Sequence, residues 1–229
     1  MPKERILEID FLRSVAILLM VTFHLVYDLA VFYQYPLDYA TGFWFWVGRS
    51  SAVLFIIISG VSSNFSAHLG RRALKVLAAA MLITAVTYFW DLDLYVRFGI
   101  LHLLGVSMLA AVFFRRLNIW AAVLGGLLLF ALGYVLDNYG GNFSSGVFLP
   151  LGIIYPGFRS IDYYPLVPWA GIFLWGISLG KAFYPEKKSF FRREPHVIAG
   201  LNLLGRHSLL IYLVHQPIIL GILFLLNPS

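Results

Sequence analysis

His24 and Asp28 lie four residues apart in "VTFHLVYDLA" (Val21 to Ala30), within a run that is otherwise apolar. On a helix that spacing puts both on one face. An imidazole near a carboxylate is the pairing of a general base with the group that fixes its tautomer and stabilises its imidazolium. Ionisable groups inside a bilayer are costly and mark function by default. The competing reading is a satisfied polar pair that packs helices together.

Asp10 and Arg13 extend the pattern. At 100° per residue, with Asp10 at 0°, Arg13 falls near 300°, His24 near 320° and Asp28 near 0°. All four share a face roughly 60° wide, and Arg13 and His24 stand about 16 Å apart along the axis. One end of this face offers a cation beside a carboxylate, which is either a phosphate site or an interfacial salt bridge. The other end offers an imidazole deep in the apolar run.

Further polar residues recur in the other apolar runs: Arg49, His102 and His215, with Asp162 and Trp169 flanking the start of a later run. As chemistry they are candidates to bind substrate or stabilise an oxyanion. As structure, Arg49 snorkels to an interface and the histidines hydrogen-bond between helices. Three intramembrane histidines invite a zinc reading, but no His-x-x-His or His-Glu-x-x-His spacing is present, so no metal is expected. Nor is there a phosphate loop of the Walker or GxGxxG type.

The elements that must position these groups follow from composition. The chain has 229 residues, 60% of them hydrophobic and 12% charged. That is about half the charge of a soluble domain. Aromatic residues make up 17%, which suits interfacial belts. There is no cysteine, so disulfides and thiolate chemistry are excluded. Seven runs approach the roughly 20 residues a spanning helix needs: 11–33, 43–63, 72–90, 98–114, 117–136, 166–184 and 206–226. The fold predicted is an all-α polytopic membrane protein of about seven transmembrane helices, with residues 1–229 forming a single domain. The first run is read as an uncleaved helix rather than a signal peptide. The connection 137–165 holds an apolar stretch, "GVFLPLGIIYPGF", too short to span and expected to be re-entrant or interfacial.

The net charge of +6 points to topology rather than nucleic acid. With the N-terminus cytoplasmic, 14 of the 17 lysines and arginines fall on the inner side, leaving Arg49, Arg97 and Arg159 on the outer half. The inner set includes Arg13, Arg71, Arg72, Arg115, Arg116 and Arg206. For most of these, and for Arg115 and Arg116 above all, topology alone accounts for the charge.

The segment "EIDFLRSVAILLMVTFH" (Glu8 to His24) resembles the first helix of transmembrane acyltransferases. "SSAVLFIIISGVS", "RFGILHLLGVS", "DYYPLVPWAGIFLWGISLG" and "LGRHSLLIYLVHQP" follow in order, and together they resemble bacterial relatives of heparan-α-glucosaminide N-acetyltransferase. The resemblance implies acetyl-CoA, or another acyl-CoA, as a cytoplasmic donor. It implies a carbohydrate-type amine or hydroxyl acceptor on the far side, with the lipid bilayer as surroundings in the plasma (cytoplasmic) membrane. Arg13, Asp10, Arg71, Arg72 and Arg206 would then bind the CoA nucleotide, and His24 with Asp28 would carry the chemistry. Arg49, His102, Asp162, Trp169 and His215 would contact substrate or oxyanion. Two departures stand out. Ser14 replaces a glycine of the opening motif, and "YQYPLDYATGFWFW" lacks the histidine that the lysosomal enzyme carries before its second helix. A proton-coupled transporter, with His24, Asp28 and His215 as a relay, is the alternative, and assembly into a homo-oligomer is left open.

The topology is directly testable, because the chain has no cysteine of its own. Lys187→Cys should label with an impermeant thiol reagent only from the cytoplasmic side, and Arg97→Cys only from the opposite side. Labelling of both from one side contradicts the arrangement.

Overall fold

A computed structural model describes residues 6–139, 145–191 and 196–226. Its elements are helices throughout: α1 (Leu7–Phe32), α2 (Gly42–Ser63), α3 (Leu69–Trp90), α4 (Ile100–Phe114), α5 (Ile119–Tyr139), a 3-10 helix (Gly146–Leu151), α6 (Leu166–Phe183), α7 (His196–Arg206) and α8 (Ser208–Leu226). Among the described residues, six helices are long and apolar enough to cross a bilayer: α1, α2, α3, α5, α6 and α8. The chain is therefore a multi-pass membrane protein.

The fourth expected span, 98–114, is the short one. Its helix begins at Ile100 and has 15 residues, about 22 Å against a hydrocarbon core of about 30 Å. The expected re-entrant segment takes the form of the six-residue 3-10 helix, with Leu149 buried beneath it; residues 140–144 lie outside the described residues. One helix was not anticipated. α7 is an 11-residue amphipathic helix that precedes α8, and the two are separated at His207. The expected run from 206 thus joins the last residue of α7 to α8.

The helices form two compact units, one of Met1–Phe55 with Lys187–Ser229 and one of Ile56–Glu186. In the first, Ser14 of α1 fastens α7. Its hydroxyl accepts from the Gly205 backbone N–H at 2.9 Å and donates to carbonyl oxygens of Asp10 and Leu201. A Cβ at position 205 would fall 2.0 Å from the Asp10 carbonyl oxygen, so only glycine lets these backbones meet. The Glu8 carboxylate accepts from the Ser189 hydroxyl at 2.8 Å and from the backbone N–H groups of Phe190 and Phe191, which clips 189–191 to the start of α1. Ser51 of α2 donates to the Ala16 carbonyl at 2.8 Å.

In the second unit the end of α2 and α6 meet backbone against backbone. A Cβ on Gly60 would lie 2.2 Å from the Phe173 carbonyl oxygen, and one on Gly176 would lie 2.3 Å from that of Ile57. Lipid gives apolar helices no hydrophobic reason to associate, so such interfaces rely on small residues and close van der Waals contact. Asn64 donates across the same interface to the Ile177 carbonyl at 3.0 Å. α5 packs on α6 through Trp175, which stacks on Phe130 at 4.9 Å and donates to the Val123 carbonyl. The α4–α5 turn is fixed by Asn118, whose side chain accepts from the Ala121 N–H as a helix N-cap.

Gly60→Ala drives a methyl into backbone rather than into a side chain that can swing away. It should lower the melting temperature in detergent, with a cost of about 1–3 kcal/mol. An unchanged melt would contradict the close approach.

Candidate functional site

The polar face expected on α1 exists, and it is turned inward. Asp10 and Asp28 are buried, and Arg13 and His24 are half-buried. At one end, Asp10 holds two cations from different helices: Arg13 Nη1 at 3.2 Å and Arg206 Nε, from the last turn of α7, at 3.6 Å. One carboxylate thus stands between two guanidiniums. Guanidinium forks suit phosphate oxygens.

At the other end the arrangement differs from the expected His24/Asp28 pair. Among the described residues no hydrogen bond joins them. Asp28 is fully buried, and its Oδ1 accepts from the side-chain amide of Gln216 on α8, 188 residues away, at 2.7 Å. His24 meets His215 of α8 instead, with ring centroids 4.8 Å apart and planes at 65°. His215 Nδ1 lies 2.7 Å from the Tyr212 carbonyl oxygen. The four-residue spacing permitted the His24–Asp28 contact; the packing of α8 on α1 decided against it. Gln216 was missed, although it stands beside His215 as a second polar side chain in "LVHQP".

Arg49, on the part of α2 that belongs to this unit, has its guanidinium over the Phe45 ring at 5.2 Å. Next to it, Gly48 lets α2 press against the Phe23 ring, beside His24.

The remaining candidates belong to the second unit, where contacts give them structural work. His102 Nδ1 accepts from the Gly99 N–H at 3.2 Å. Its Nε2 lies 3.2 Å from Thr84 Oγ1, whose own hydrogen goes to the Val96 carbonyl at 2.7 Å. Nε2 therefore carries the proton, and both ring nitrogens are occupied. Asp162 Oδ2 accepts from the Ile100 N–H at 3.0 Å, capping α4. A Cβ on Gly99 would meet that same oxygen at 2.1 Å. Trp169 packs edge-on against Tyr164 at 4.8 Å. Arg97 stacks over Tyr95 at 4.1 Å and donates to the Arg159 carbonyl. Arg115 donates to the Ser66 carbonyl at 2.9 Å. Arg71 and Arg72 sit in the first turn of α3, where the helix dipole disfavours cations.

Imidazoles and a carboxylate thus lie between the helices of a polytopic membrane protein. Residues 5–217 match the family described as heparan-alpha-glucosaminide N-acetyltransferase, catalytic, and the chain belongs to that family. This is a family of transmembrane acetyltransferases. No curated protein and no solved structure matches the chain.

Desolvation pushes the Asp162 carboxyl up to about 6 from 3.8, against the Ile100 hydrogen bond, which pulls it down. A carboxyl that binds its proton more tightly when folded stabilises most below pH 3.8, and that contribution is lost as pH rises through about 6. Asp162→Asn keeps an acceptor for Ile100 without the charge. Melts of the variant should therefore fall less between pH 4 and pH 7 than those of the wild type; identical slopes would refute the assignment.

Proposed function

We propose that the protein transfers an acetyl group from acetyl-CoA on the cytoplasmic side to an extracytoplasmic amine or hydroxyl, a carbohydrate-type acceptor, with the whole chain serving as one transmembrane acyltransferase domain in the plasma membrane. The reading rests on the polar face of α1, with Arg13 and Arg206 on Asp10 at one end and His24 against His215 at the other. Family membership supports the acetyl chemistry. Arg13 and Arg206 bind the nucleotide phosphates. The pantetheine arm follows α1 for the roughly 16 Å between Arg13 and His24.

His24 takes the proton from the acceptor as its nitrogen or oxygen attacks the thioester carbonyl. A new C–N or C–O bond forms, the C–S bond breaks, and the imidazolium returns the proton to the thiolate of CoA. Asp28, one turn away and held by Gln216, contributes negative charge that favours the imidazolium. Arg49 stabilises the oxyanion in a site where low dielectric strengthens its effect. The occupied nitrogens of His102 and the capping carboxylate of Asp162 favour structural roles for both.

The test is acetyl transfer in proteoliposomes from acetyl-CoA to glucosamine. His24→Ala should lower kcat by about 100-fold or more while keeping its fold. Full activity in that variant would end the assignment, and solute flux without acyl-CoA would support the proton-coupled transporter instead.

A further inference from the structure

The contacts of His24 raise the question of what holds its ring for chemistry. A histidine base needs its second nitrogen engaged, so that the correct tautomer faces the substrate. In the structure Asp28 does not do this: its Oδ1 accepts from Gln216, its buried Oδ2 has no hydrogen-bond partner among the described residues, and no hydrogen bond links it to His24. The ring facing His24 is that of His215.

The state of His215 follows from its partner. A carbonyl oxygen only accepts, so the 2.7 Å contact with Tyr212 puts the hydrogen on Nδ1 and leaves the lone pair on Nε2. That Nε2 is buried and has no donor among the described residues. Buried acceptors are nearly always satisfied. Here a pre-set acceptor stands on a ring already in edge contact with the partly buried His24. His24 carries one N–H in its neutral form, and its ring centroid stands 4.8 Å from that of His215.

We infer that His215 is the positioning residue of His24, accepting the N–H of His24 at Nε2 through the chain Tyr212 carbonyl, His215, His24. The inference rests on the acyl-transfer reading above. In the working state the other nitrogen of His24 carries the lone pair. It takes the acceptor's proton, and the resulting imidazolium keeps its hydrogen bond to neutral His215. The proton then leaves to the thiolate sulfur, so His215 neither gains nor loses one overall. The backbone carbonyl of Tyr212 does for His215 what an outer partner does in metal and triad histidines, fixing tautomer and ring plane. Two imidazoles in edge contact also stack simply as rings, and a stacking role would tolerate any flat replacement and be indifferent to acceptor atoms.

The experiment separates these roles. Acetyl transfer is measured in proteoliposomes for the wild type, His215→Ala, His215→Asn, His215→Phe and Asp28→Asn, each with its melting temperature. His215→Ala should lower kcat by about 100-fold with little change in KM for acetyl-CoA. His215→Asn, whose amide can donate to Tyr212 and whose oxygen can accept from His24, should recover at least about ten-fold of that loss. His215→Phe, flat but without an acceptor, should not. Asp28→Asn should lower kcat less than His215→Ala does. The inference is overturned if His215→Phe matches His215→Asn, if His215→Ala keeps full kcat, or if Asp28→Asn is the more damaging change. Should His215→Ala fail to fold, the Asn and Phe pair still decides. An inactive wild type overturns the acyl-transfer reading itself, whereas an active wild type with an indifferent residue 215 overturns this inference alone.

Discussion

The first unit depends on one backbone contact, where α7 comes against α1 at Gly205 and Asp10. A methyl at 205 would stand 2.0 Å from the Asp10 carbonyl oxygen. The Ser14 hydroxyl seals the joint by accepting the Gly205 N–H. Two things follow from it. Arg206, the next residue, reaches the Asp10 carboxylate that Arg13 already holds. And α8, which starts at Ser208, presents His215 and Gln216 to His24 and Asp28. The Ser14 hydroxyl has a physical purpose, since glycine there would leave the Gly205 N–H without this acceptor.

Much of this was legible in the sequence, and the part that was not has a common cause. Apolar run length marked the helices, because the thickness of a bilayer imposes it. The polar face of α1 could be read from 100° steps, because residues on one helix keep a fixed angular relation. Partners on other helices obey no such rule. Four-residue spacing allowed Asp28 to touch His24, yet the amide of Gln216 won the carboxylate from 188 residues away. α7 escaped notice because it is too short to span, and its apolar residues (Val197, Leu201, Leu204) recur at helical spacing within a connection that reads as a basic loop.

The histidines show why residue type and depth alone do not assign a role. His102, His24 and His215 are all polar residues in apolar helices. His102 has both nitrogens committed, to Gly99 and Thr84, and so acts as a pin at the start of α4. His215 has one committed nitrogen and one bare lone pair. The difference lies in the loop ahead of α4 and in the Tyr212 carbonyl, neither of which is visible as a motif. Asp162 makes the same point: its place before α6 suggested a substrate contact, while its oxygen caps a helix 62 residues earlier.

The 188 residues between Asp28 and Gln216 also set a timetable. A ribosome adding about 5–20 residues per second needs about 10 to 40 seconds to make Gln216 after Asp28. Through that interval α1 carries its histidine and two aspartates into the membrane without the helices that later cover them. The side chains of α7 and α8 that meet this face of α1 are thus made last. Synthesis order thus makes α1 the helix most exposed to misplacement, and makes the assembly of the unit an event that closes only after α8 is made.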